Sequence, residues 1–140
     1  MTLRSLSLTA ATVLTAGLIA GCATGESGMS REAEADERLA EFTATGETRS
    51  CLSTRRIDQI EPLDDTRWLV TELGGNTYLN EVSRGCSNAA RAFTYIEYQT
   101  PSGRLCRGEI VRVRDQSTDI VNGSCGLGEY QELEPVESEG

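Results

Sequence analysis

Four cysteines, Cys51, Cys86, Cys106 and Cys125, are spaced through the middle of a 140-residue chain that has no histidine and no lysine, all 13 of its basic residues being arginine. Those types and spacings narrow the available chemistry. A redox thiol needs a second cysteine close by to resolve its intermediate, and the chain has no Cys-x-x-Cys pair. A zinc site would draw on close cysteine pairs or on histidine, and neither is present. Without histidine the commonest general base is gone, as is the usual partner of a serine or cysteine nucleophile. Without lysine, Schiff-base chemistry and the phosphate-cradling loop with its lysine are gone too. No metal, cofactor or catalytic set is expected, and an enzyme would have to rest on a carboxylate pair or a tyrosine.

Three clusters remain to be weighed. Asp64-Asp65, just after Pro62, could act as acid and base or hold a cation, but adjacent aspartates between a proline and a strand are turn residues first. Arg104, Arg107, Arg112 and Arg114 could form a cationic stripe for anionic sugars or lipid headgroups. Strand alternation puts Arg107 on the opposite face from the other three, and Glu97 and Glu109 are at hand to balance them, so a solvated strand face is expected. Trp68, Tyr78, Phe93, Tyr95 and Tyr98 could line a groove that stacks on a glycan, yet a chain with 5% aromatic residues needs most of them for its core.

Ahead of these residues, an uncharged run begins after Arg4 and closes on Leu18-Ile19-Ala20-Gly21-Cys22. One positive charge, an apolar stretch and small residues before a cut are the anatomy of a signal peptide. The run is interrupted by Ser5, Ser7, Thr9, Thr12, Thr15 and Gly17 and falls short of the roughly 20 mainly apolar residues that span a bilayer. Ile19-Ala20-Gly21-Cys22 resembles the lipobox of bacterial lipoproteins. That resemblance implies cleavage before Cys22, a diacylglycerol thioether on its sulfur and acylation of its new amino group. Stable anchoring takes two acyl chains or more, which a triacylated Cys22 supplies. Ala23 stands where an aspartate would imply retention at the inner membrane, so the expected location is the cell envelope, at the outer membrane, with the domain facing the periplasm.

The net charge of −9 is unevenly spread. Residues 22–50 hold seven acidic residues against three arginines, residues 128–140 five against none, and residues 51–127 ten against nine. Acidic flanks around a nearly neutral middle read as solvated tails around a folded core, and nothing forms the basic field that nucleic acid requires. The expected organisation is a signal peptide over 1–21, a lipid-anchored acidic tether over 22–48, a β-domain over 49–131 and an acidic disordered tail over 132–140. Within the tether a short helix is possible, with Ser30 as N-cap, Glu34 four residues before Arg38, and an apolar face of Ala35, Leu39 and Phe42.

From Arg49 the hydrophobic period becomes two. Residues 66–73 and 77–82 flank Gly74-Gly75-Asn76, whose types accept positive φ, giving the clearest hairpin. Residues 93–98 and 105–113, joined through Pro101-Ser102-Gly103, predict a second. Shorter strands are expected at 50–57 and 120–125, and Gly123, Gly126 and Gly128 mark bends or bulges. The fold class is therefore all-β, a small antiparallel barrel or rolled sheet of about five to six strands with a short N-terminal tether.

With Cys22 lipidated, the other four cysteines of an exported domain read as two disulfides. Three pairings are possible. If the first and last strands close a barrel side by side, Cys51 meets Cys125 and Cys86 is left to Cys106; the next pairing in order is Cys51 with Cys86 and Cys106 with Cys125.

The order Cys51-Leu52 with Ile57, Asp65-Thr66, Tyr78-Leu79-Asn80, Cys86, Leu105-Cys106-Arg107-Gly108-Glu109 and Cys125 resembles an uncharacterised family of small exported bacterial proteins, a domain of unknown function. The likeness covers roughly 51–133; Ser87-Asn88-Ala89 stand where the family has Pro-Gly-Leu. The resemblance implies the cysteine framework and the domain borders, and it brings no activity. The expected function is a structural or partner-binding role of a lipid-anchored envelope protein, with an envelope protein as partner. A small ligand- or glycan-binding module of the periplasm is the alternative, and an enzyme comes third.

Overall fold

The computed structural model describes residues 26–137, so the signal peptide and Cys22 lie outside the described residues. One helix, α1 (Glu26–Leu39), is followed by ten strands: β1 (Phe42–Arg49), β2 (Cys51–Ser53), β3 (Ile57–Pro62), β4 (Arg67–Glu72), β5 (Thr77–Glu81), β6 (Thr94–Glu97), β7 (Arg104–Cys106), β8 (Ile110–Asp115), β9 (Val121–Gly126) and β10 (Tyr130–Pro135). They form a five-stranded sheet in the order β1-β10-β5-β4-β3, a three-stranded sheet β6-β8-β9 and a two-stranded ribbon β2-β7, with every pairing antiparallel. The domain is all-β with a helical N-terminal piece, as expected, and its sheets do not close into a barrel.

The first hairpin forms where the glycines placed it. Gly74 and Gly75 have φ of 105° and 95°, values open to glycine at no steric cost. The Glu72 N–H donates to Asn76 O at 2.8 Å, and β4 and β5 pair from Arg67↔Glu81 to Thr71↔Thr77. Burial follows: Trp68, Leu69, Val70 and Tyr78 are all at most 1% exposed.

The second expected hairpin is rearranged. β6 pairs with β8, whereas β7 pairs with β2. The stretch 105–113 is not one strand because Gly108, at φ 85°, turns the chain out of one sheet and into the other. Glu109 N–H closes that turn on Cys106 O, and Gly108 N–H is taken by Leu127 O. Sequence periodicity runs through such a corner unchanged, since a glycine interrupts the backbone without interrupting the alternation.

The flanks are also corrected. Residues 42–48 of the expected tether are most of β1, and residues 132–135 of the expected tail are most of β10. The two strands pair from Phe42↔Pro135 to Arg49↔Tyr130, with a bulge between Ala44 and Thr48. Charge hid them: Glu132 and Glu134 sit on β10, but Tyr130 and Leu133, on its two opposite faces, are 0% and 9% exposed. The helix starts at Glu26, so Ser30 lies inside it and is not its N-cap; Phe42 belongs to β1.

That outward shift of the seam re-routes the disulfides. Chain ends meet through β1 and β10, one strand beyond Cys51 and Cys125 on either side, which leaves Cys51 opposite Cys106 in the β2–β7 ribbon. The bridges are Cys51–Cys106 and Cys86–Cys125, neither of the pairings that barrel closure or its alternative gave. Cys86 and Cys125 belong to the main core with Trp68, Val82, Leu105, Val111, Val113 and Leu127. Leu52, Val70, Tyr78 and Tyr130 form a second core, where the two tyrosine rings meet edge to face at 6.3 Å.

Candidate functional site

Asp64 follows β3 and precedes β4, and its carboxylate is spent on the turn between them. Oδ1 accepts from the backbone N–H groups of Thr66 (2.8 Å) and Arg67 (2.7 Å) and from Thr66 Oγ1 (2.9 Å), while Oδ2 accepts from Arg67 Nε at 2.6 Å. Burial alone would raise its pKa; the Thr66 N–H, the Arg67 guanidinium and the remaining donors outweigh that and hold it below 3.8. A carboxylate held charged by four donors is a cap, not a general acid. The same Arg67 reaches α1, bonding the Asp36 carboxylate and donating from Nη2 to Glu32 O at 3.3 Å. Ala35, 1% exposed, buries the inner face of the helix. Arg67 is thus the hub that docks the former tether on the sheet. Between helix and turn lies an open cleft of about 630 Å³ bordered by Arg31, Arg91 and Asp65 as well as by these groups.

The four arginines do not make a stripe. Arg114 bonds Glu97 through Nε at 2.7 Å and approaches Asp119 at 3.4 Å; Arg112 reaches the same Glu97 at 3.9 Å; Arg107 pairs with Glu129 at 2.6 Å. Arg107 sits in the turn after β7 and so has no strand face. Glu109, expected to balance the row, gives its carboxylate to the Cys106 N–H. Asp115 caps the β8–β9 turn, and the Ser117 hydroxyl with the Thr118 and Ser117 N–H groups draws its pKa down to about 2.

The aromatic residues divide. Trp68 and Tyr78 are fully buried, while Phe93 and Tyr95 are 76% and 40% exposed. Tyr95 Oη donates to Asp119, and Tyr98 packs on the rim of the main core. A five-ring glycan platform is therefore not assembled. What stands in its place is a groove of about 360 Å³ between β3 and β6. Its floor is Ile57, Ile60, Ile96 and Tyr98, all packed against the main core and all only partly buried. Its borders are strand edges: among the described residues β3 pairs only with β4 and β6 only with β8. Asp58 is the single charged side chain lining it.

Sequence reasoning missed two structural devices. Asn80, 0% exposed, clasps the backbone of Gly128 in both directions, accepting from its N–H at 2.8 Å and donating to its carbonyl at 3.0 Å. A Cβ at Gly128 would fall 2.2 Å from Glu81 O, so this glycine serves close approach. Gly123 does likewise, with Ser87 O at 2.7 Å from the position of a Cβ. The signal for the first was the Tyr78-Leu79-Asn80 triplet, an amide on an otherwise inward-facing strand position. Among the described residues no three histidine, cysteine or acidic side chains converge as on a metal ion, and no helix is long and apolar enough to cross a membrane.

A family model described as a family of unknown function, DUF6491, matches residues 4–139. No curated protein and no solved structure matches the chain.

Proposed function

Because this chain belongs to that family of unknown function, no activity comes with membership, and we propose one from its own residues: a lipid-anchored protein of the cell envelope whose disulfide-stapled β-domain binds a partner protein. The anchoring half is supported by Ile19-Ala20-Gly21-Cys22 at the end of the apolar leader. The binding half is carried by one observation, the partly buried apolar floor of Ile57, Ile60, Ile96 and Tyr98 left between two unpaired strand edges. Apolar surface in a recess gains by being covered, at about 25 cal/mol per Å², whereas the Asp64, Asp115 and Arg114 clusters are already answered by turn donors and ion pairs. The glycan alternative loses support because Trp68 and Tyr78 are consumed by the cores.

Two measurements test the two halves separately. Replacing Cys22 by Ser should release the protein from membranes, and mass spectrometry of the native protein should find a lipidated Cys22 at its N-terminus; an unlipidated terminus elsewhere contradicts the anchor. In detergent extracts the native protein should co-elute with an envelope protein, and Ile96→Glu should abolish that complex while the isolated variant still melts cooperatively. A native protein that elutes alone, or a complex indifferent to Ile96→Glu, contradicts the binding half.

A further inference from the structure

We infer that the groove between β3 and β6 takes an extended segment of the partner protein, which enters as an additional strand and hydrogen-bonds to both bordering edges. The inference rests on the partner-binding reading and specifies how the partner is held. Among the described residues β3 and β6 are each the last strand of a sheet, and both line the groove, so each has a row of backbone N–H and C=O groups that no described strand answers, which is the template for strand addition. Two such edges border one recess. An inserted strand would join the five-stranded sheet to the three-stranded one.

Side chains favour the same occupant. A strand turns alternate residues to opposite faces, so one set would descend onto Ile57, Ile60, Ile96 and Tyr98 and complete their burial. The groove also carries a charge preference. Asp58 lies where the β3 register shifts between Ile57 and Gln59, is exposed, and has no ion pair or hydrogen bond to its carboxylate among the described residues. With no basic side chain in the lining, the occupant that fits is a segment with apolar residues at every second position and a lysine or arginine near Asp58. Pro62, which has no N–H, closes the β3 edge at its far end. A second copy of this chain paired edge to edge would answer one edge and leave the other open.

The probe is a random-sequence peptide library displayed on phage and panned on the full chain in detergent micelles. Enriched peptides should alternate apolar residues around a basic one and should slow hydrogen exchange on both β3 and β6 by at least about tenfold, as burial in a ladder does. N-methylation of every second peptide nitrogen should abolish binding for either alternate set, since one set of N–H groups would point to β3 and the other to β6. Asp58→Lys, at an exposed position, should weaken it by about fivefold, the ceiling for a solvated ion pair. No enrichment, protection on one edge only, protection elsewhere, or indifference to N-methylation each overturns strand insertion. An envelope partner lost on Ile96→Glu together with any of those results keeps the partner and removes the inserted strand. Peptides that pass every test while the native protein elutes alone do the reverse.

Discussion

β1 and β3 are the two outer strands of one five-stranded sheet, and they finish it differently. After Phe42 every residue of β1 is exposed; Glu47 and Arg49 lie along it, and it carries a bulge between Ala44 and Thr48 where Gly46 takes φ of 88°. Charge, polarity and a bulge are how a margin is kept from recruiting other strands. β3 has a bulge, Asp58, Glu61 and Pro62, so it too is guarded against indiscriminate pairing. Yet it keeps Ile57 and Ile60 half buried, facing a second open edge across an apolar floor. The difference between the margins is apolar surface, and that is what separates a margin that is merely ended from one that can be continued.

The largest effect on this contrast is expected from the Cys86–Cys125 bridge, which ties the β5–β6 connection to β9 and so holds the β6 wall of the groove. Its loop spans 39 residues, for which chain entropy alone gives about 4 kcal/mol. Replacing both cysteines by serine should lower unfolding free energy by about that much in denaturant melts. It should raise hydrogen exchange on β6 more than on β1. Equal exchange at both would mean the groove wall does not depend on this staple.

Next in size come the two margins themselves. Ile60→Ala removes half-buried methylenes that touch both cores and should cost about 1–2 kcal/mol, while Thr43→Ala on β1 should stay within about 0.5 kcal/mol. Similar values from urea melts would erase the distinction. Arg67→Met removes the bonds to Asp64, Asp36 and Glu32 O; α1 should then become open to trypsin at Arg31 and Arg38 with both strand margins intact. Resistance of α1 to trypsin would show that Ala35 packing alone holds it.

The smallest effect is a pH dependence. Asp64 has a folded pKa below 3.8, so its contribution is present above that value and is lost as pH falls through the folded pKa. Stability should therefore decline as pH drops below about 4, the ordinary carboxylate value, and Asp64→Asn should flatten that part of the curve. An unchanged slope would assign the decline to other carboxylates, Asp115 being the next candidate at about 2.

The strand vocabulary and the β4–β5 hairpin were legible because periodicity and two glycines spoke for the same local structure. The disulfide pairing was not. It depends on which strands close the seam, and the first and last strands in the chain, β1 and β10, lie in flanks whose acidic composition reads as tails. Tyr130 and Leu133 are buried on opposite faces of β10, so no period-two apolar stripe marked it as a strand. Gly108 concealed a change of sheet for a related reason, since one φ value alters topology without altering hydrophobic pattern. The Asp64-Asp65 turn was read correctly from Pro62 and the following strand, but that Arg67 would extend it to a helix 31 residues earlier is tertiary information. The groove was hidden completely: nothing in the sequence distinguishes Ile57, Ile60 and Ile96 from core residues, and it takes the sheet order to show that β3 and β6 each end a sheet among the described residues.

A photo-reactive amino acid placed at Ile60 and, in a separate strain, at Thr43 tests the contrast most directly, in cells expressing the full chain. Irradiation should join the protein at position 60 to one discrete partner, through a peptide that mass spectrometry identifies as an extended apolar segment with a basic residue, and should give no discrete product at position 43. Crosslinking at 43 but not at 60, or the same partner from both positions, would contradict it.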